Sequence, residues 1–162
     1  MKKFFTLIFA FALFSLGTNF GKTASAENWR KSEMKIEILI TNENGTTTKL
    51  FATLAENSSA KSFAERLKDG AIAITLSDYG NFEKVGDLPF SLPKNDTQIS
   101  TDAGDLILYL GNKVTIYYDK NSWNLTRLGK LDALENGTMS KADLKNVLGK
   151  GSVKVVFSLA KN

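Results

Sequence analysis

From Met34 to Thr41 the chain alternates, with Ile36, Ile38 and Ile40 on one side and Lys35, Glu37 and Leu39 on the other. That is the period-two signature of a strand with one buried face. Asn42-Glu43-Asn44-Gly45 predicts a turn, because Asn-Gly readily supplies positive φ. Thr46 to Leu54 then predicts the returning strand of a hairpin, Leu50 and Ala52 opposing Lys49, Phe51 and Thr53. The period changes next. Ala60, Phe63, Ala64 and Leu67 fall at i, i+3, i+4 and i+7, one face of a helix over Ser58 to Lys68, with Ser58 or Ser59 as N-cap and Asp69-Gly70 as its stop. Ala71 to Leu76 and Phe82 to Val85 read as strands around a Tyr79-Gly80-Asn81 turn. Leu88 to Lys94 contains both prolines and reads as an irregular segment with exposed apolar residues, and Asn95 to Gly104 reads as a polar connection. Asp105 to Leu110 and Lys113 to Asp119 pair across Gly111-Asn112. Lys120 to Asn124 is a loop holding Trp123, and Leu125 to Leu131 is another strand. Thr138 to Leu148 has helical periodicity, capped by Ser140 or Thr138 and stopped by Gly149. Ser152 to Leu159 closes the chain, Val153, Val155 and Phe157 alternating against Lys154, Val156 and Ser158. About eight short strands, two helices and no βαβ alternation predict a mainly β domain over residues 34–160, a closed antiparallel barrel or strongly coiled sheet covered by the helices.

Residues 1–26 carry a different pattern. Lys2 and Lys3 precede an uncharged apolar run from Phe4 to Gly17, and Ala24-Ser25-Ala26 offers small residues for cleavage before Glu27. The run is about 14 residues, short of the roughly 20 needed to span a bilayer. The expectation is an exported chain, periplasmic or secreted, with residues 1–26 removed, no stable membrane anchor afterwards and a polar leader over 27–33. Cleavage also changes the charge. It removes Lys2, Lys3 and Lys22, so 18 basic residues face 17 acidic ones and the net charge falls from +4 to +1. No basic run remains to follow a phosphate backbone, and no nucleic-acid partner is expected.

The chain has no cysteine and no histidine. Disulfides, a thiolate nucleophile, a Cys/His zinc site and a Ser-His-Asp triad are therefore excluded. Gly149-Lys150-Gly151 is too short and wrongly placed for a phosphate loop. No cofactor or metal is expected. An exported domain of about 136 residues without disulfides must be held by packing alone, which suits a compact β-rich monomer.

An ordered set of short motifs resembles the bacterial cyclophilin-like domain family. Leu76-Ser77-Asp78-Tyr79, Phe82-Glu83-Lys84, Leu88-Pro89 and Leu92-Pro93 are similar to its first half. Ala103-Gly104-Asp105-Leu106, the strand Val114 to Tyr118 and Leu128-Gly129-Lys130-Leu131-Asp132 are similar to its second. The resemblance runs from about Met34 to Leu159. It implies a closed cyclophilin-like β-barrel of about eight strands with two covering helices. Some members of the family accompany flavodoxin-like partners, which assigns no flavin here. True cyclophilins isomerise X-Pro bonds with an arginine in a Phe-His-Arg strand, and this sequence has no such motif. Its arginines after residue 26 are Arg30, Arg66 and Arg127, of which only Arg127 lies on an expected strand near aromatics.

Tyr109, Tyr117, Tyr118 and Trp123, with Arg127 close in sequence, either line a groove or partly fill the interior. Tyrosine and tryptophan combine a large contact face with a polar end, as a peptide groove requires. Tyr109, Tyr117, Trp123 and Arg127 are thus the candidate ligand-binding residues, and no catalytic residue or metal ligand is assigned. Glu83-Lys84 reads as an exposed ion pair at a strand end rather than a site pair, and Asp102 with Asp105 as turn residues around Gly104 rather than part of a cation site. The expected function is a noncatalytic binding module for a peptide, protein segment or small ligand. The alternative is a peptidyl-prolyl cis-trans isomerase.

Overall fold

A computed structural model describes residues 33–161. The expected signal peptide and the expected leader up to residue 32 lie outside the described residues. In chain order the elements are β1 (Lys35–Thr41), β2 (Thr47–Leu54), α1 (Ser58–Lys68), β3 (Ile72–Tyr79), β4 (Glu83–Asp87), β5 (Thr97–Thr101), β6 (Asp105–Tyr109), β7 (Lys113–Tyr117), β8 (Asn121–Leu131), α2 (Asp132–Glu135), α3 (Lys141–Leu148) and β9 (Ser152–Leu159). The protein is mainly β. Its antiparallel strands pair in the order β2-β1-β9-β3-β4-β7-β6-β8, and β8 returns to β2, so eight strands are hydrogen-bonded in a ring. β5 joins only the first half of β8, from Thr97 opposite Leu125 to Thr101 opposite Asn121.

The β1–β2 hairpin forms where the alternation places it, with Gly45 at φ 77° and the Asn42 side chain accepting from the Asn44 and Thr46 N–H groups. Ile36, Ile38 and Ile40 are fully buried inside the ring with Val155 and Phe157 of β9. α1 covers this core through Ala60, Phe63, Ala64 and Leu67, and the Phe63 ring meets Phe157 edge-on at 5.6 Å. Its cap is Asn57, not Ser58 or Ser59. Asn57 Oδ1 accepts the Ala60 N–H at 2.9 Å while Nδ2 donates to the Arg127 carbonyl at 2.7 Å, tying the helix start to β8. Asparagine carries its acceptor and its donor on two separate atoms, so one side chain reaches both partners at once. Ser59 is used elsewhere, donating to the Pro93 carbonyl.

Four further expectations are corrected. Leu88 and Leu92 are buried, because their N–H groups donate to the Asn112 and Gly111 carbonyls and draw the proline-bearing segment onto the β6–β7 turn. Thr97–Thr101 is a strand although Ile99 is its one apolar side chain, its pairing being supplied by β8. Trp123 lies within that long strand rather than in a loop. α2 is a single turn, too short to show a period, so the covering helices number three rather than two.

A smaller apolar cluster lies outside the ring. Alternation sends Leu106, Leu108, Val114 and Ile116 inward, and sends Ile107 and Tyr117 outward to join Leu125, with Phe82 and Ile99 packed against them. This outer cluster is the floor on which a site can be built.

Candidate functional site

The outer face of β3, β4, β7, β6 and β8 carries a cleft of about 580 Å³ lined by Tyr79, Phe82, Glu83, Tyr109, Tyr117 and Trp123, with Asp87 and Lys113 also in the lining. Its aromatic wall begins at a tight hairpin. Gly80 and Asn81 have φ of 60° and 59°, and the Phe82 N–H donates to the Tyr79 carbonyl, so two left-handed residues turn the chain before Glu83 pairs with Tyr79. A Cβ on Gly80 would lie 2.2 Å from the Phe82 ring, so only glycine lets that ring fold over the turn. Phe82 stacks on Tyr117 at 5.7 Å and meets Tyr79 edge-on at 6.2 Å. Tyr117 is buried and fixed, its hydroxyl accepting from Asn121 Nδ2 at 3.4 Å. By contrast Tyr79 and Trp123 are 63% and 60% exposed, and Tyr109 is 37% exposed. Rings of this size left open beside a packed floor are surface available for contact.

Glu83 stands among them at 7% exposure, directly opposite Tyr79 on one side and Tyr117 on the other. Burial raises its carboxyl above the usual carboxylate range. The hydroxyls of Tyr117 and Thr115 stand beside it and offset part of that rise. The Thr115 hydroxyl does so without completing a regular hydrogen bond. Burial, foremost, also pushes the Tyr117 phenol up, with the neighbouring charges of Glu83 and Asp105 adding to the effect. Among the described residues no lysine or arginine comes within ion-pair distance of Glu83. Asp87 and Lys113 pair with each other.

The expected exposed Glu83–Lys84 pair does not exist. Adjacent strand residues point to opposite faces, and Lys84 turns inward to 1% exposure. There its ammonium donates to the Gly151 carbonyl at 2.6 Å and pairs with Asp78 at 2.9 Å. Tyr118 follows the same inward face and donates to Asp78 at 3.0 Å, its hydroxyl raised to about 12 by burial first and by Asp78 next.

Of the sequence-predicted site residues, Tyr109, Tyr117 and Trp123 meet at the cleft. Arg127 does not line it. Its guanidinium pairs with Asp105 at 2.5 Å and donates to the Ser100 carbonyl at 3.3 Å. Asp105 is buried, pairs also with Lys130 at 3.2 Å and accepts the Asp102 N–H at 2.8 Å, so the Asp102–Asp105 turn anchors a charged cluster. The pairing of β6 with β8 shifts register here, Ile107 facing Arg127 and Leu106 facing Gly129. Tyr79, Phe82 and Glu83 were not singled out as ligand-binding candidates. Their signal was present in the turn Tyr79-Gly80-Asn81-Phe82 and in strict alternation at Glu83-Lys84. Among the described residues no three acidic side chains converge as a metal site would require.

No curated protein sequence matches the chain. Residues 43–158, which hold every strand lining the cleft and most of the ring, match the family model described as the cyclophilin-like family. The closed order of strands and this match over most of the chain lead to one conclusion: the protein belongs to the cyclophilin-like family.

Proposed function

We propose that this chain is an exported, monomeric binding module whose outer aromatic cleft holds a peptide, protein segment or small ligand. In this reading the ring of eight strands is a closed cyclophilin-like barrel that serves as a rigid scaffold. The observation that carries the proposal is the open wall of Tyr79, Trp123 and Tyr109 around the packed Phe82–Tyr117 pair. Such rings supply contact area with little side-chain entropy to lose, and the fixed floor avoids an ordering cost on binding.

The noncatalytic part of the reading is supported by Arg127. Prolyl isomerisation has a barrier of about 18–20 kcal/mol, and lowering it needs a preorganised donor aimed at the reacting group. Arg127 is instead committed to Asp105 and Ser100 outside the cleft. Lys113, the cation in the lining, is engaged by Asp87.

Two measurements test this. Amide chemical-shift mapping with a panel of short extended peptides should perturb Tyr79, Tyr109 and Trp123 first; perturbations confined to other faces would refute the site. A proline-peptide isomerisation assay should show no acceleration by the wild type or by Arg127→Ala. Acceleration that disappears in the variant would establish the isomerase alternative. Export is tested by the N-terminus of the mature product, expected at Glu27.

A further inference from the structure

From the isolation of the Glu83 carboxyl among aromatic rings, we infer that the cleft selects a cationic group, the ammonium or guanidinium of a lysine or arginine side chain in an extended peptide. This inference rests on the cleft being the binding site and adds the chemistry of its ligand.

The charge inventory comes first. Three charged side chains line the cleft, and two of them, Asp87 and Lys113, neutralise each other. Glu83 is left as the uncompensated charge. Its sequence neighbour Lys84 points to the opposite face and is occupied by Asp78 and Gly151. Arg127 and Lys130, the nearest basic residues on β8, are held by Asp105. A carboxyl buried to this degree without a cation is costly to ionise, and an incoming positive charge removes that cost.

The surroundings fit the same ligand. Tyr79 and Tyr117 stand directly opposite Glu83 on the neighbouring strands, Phe82 packs against both rings, and Trp123 and Tyr109 line the same cleft. Ring faces attract a cation electrostatically, and more strongly where water is displaced. The aliphatic stem of lysine or arginine would lie along the rings while its head reaches Glu83. An anionic ligand meets only repulsion from Glu83. A neutral apolar ligand would cover the carboxyl without satisfying it, at the expense of affinity.

The test compares matched ligands on the intact protein by chemical-shift titration and calorimetry. Probes are a capped nonapeptide with one central lysine, the same peptide with acetyl-lysine, with arginine and with citrulline, and n-butylammonium alone. The lysine and arginine peptides should bind at least roughly tenfold tighter than their neutral counterparts, the scale of a partly desolvated cation–π and carboxylate contact. Glu83→Gln, nearly isosteric, should erase that preference by bringing the lysine and arginine peptides to the affinity of their neutral counterparts. Binding of n-butylammonium at the same residues with the same dependence on Glu83 supports the cation site and points to a free amine as its source. Equal affinity for lysine and acetyl-lysine peptides at the cleft overturns the cation inference and leaves the binding module intact. Absence of any perturbation at the cleft by all probes overturns both. The comparison between peptides needs no variant and remains decisive if Glu83→Gln folds poorly.

Discussion

Gly129→Ala is expected to unfasten the ring. Gly129 sits on β8 opposite Leu54 of β2, in a seam where three residue pairs close the circle: Ala52 with Leu131, Thr53 with Lys130 and Leu54 with Gly129. A Cβ added there would lie 2.5 Å from the Thr53 carbonyl oxygen and 3.1 Å from the Leu54 Cα. Both atoms are backbone, so no change of rotamer relieves the contact. Restoring an ordinary separation moves the strands apart by roughly 1 Å, which stretches a typical ladder bond of about 2.9 Å to about 3.9 Å, no longer a hydrogen bond. Overpacking of this kind costs about 1–3 kcal/mol, and each ladder bond lost adds about 0.5–1.5 kcal/mol. With partial relaxation the sum is about 2–4 kcal/mol, or a fall in Tm of roughly 5–15 °C for a domain of this size. Urea unfolding followed by far-ultraviolet circular dichroism measures the loss. Native-state hydrogen exchange locates it, with protection expected to fall at residues 52–54 and 129–131 before it falls between β1 and β9. A destabilisation below about 0.5 kcal/mol, with protection at the seam unchanged, would refute the close approach as the reason for glycine here.

Trp123→Ala, at a largely exposed position, should change stability by no more than about 0.5–1 kcal/mol in chemical denaturation yet weaken peptide binding at the cleft; a large loss of stability would place the ring in the core instead. Glu83→Gln should raise the thermal midpoint at neutral pH. The native carboxyl titrates above its ordinary value of 4.5, so the wild type has its full stability below that pH and loses some as pH rises through the raised native value. The difference between wild type and variant should therefore grow across that interval and then level off; a difference that does not vary with pH would show that burial does not penalise the charge. Asn57→Ala removes the cap of α1 and its bond to the Arg127 carbonyl together, and should cost about 1–2 kcal/mol, with Asn57→Ser restoring only the capping part. Equal stability of the serine variant and the wild type would show that the bond to β8 contributes nothing.

Strand and helix identity was largely written in local periodicity. The isoleucines of β1, the alternation of β9 and the helical spacing of Ala60, Phe63, Ala64 and Leu67 each bury one face, and burying one face is what period encodes. The motifs of the cyclophilin-like resemblance were likewise readable in order. Three of the four candidate site residues, Tyr109, Tyr117 and Trp123, could be chosen by residue type alone and do share a cleft. What period cannot encode is partnership. β5 has too little apolar character to announce itself and becomes a strand because β8 supplies its hydrogen bonds. Leu88 and Leu92 are buried because the β6–β7 turn accepts their N–H groups from far along the chain. Arg127 lies near the aromatics in sequence, but a register shift and the buried Asp105 carboxylate hold it elsewhere. Glu83 and Lys84, adjacent in sequence and opposite in charge, are separated by the sheet itself: the pleat sends one to the aromatic cleft and the other to the opposite face, where Asp78 and the Gly151 carbonyl hold it, because peptide geometry turns successive side chains to opposite faces whatever their mutual attraction.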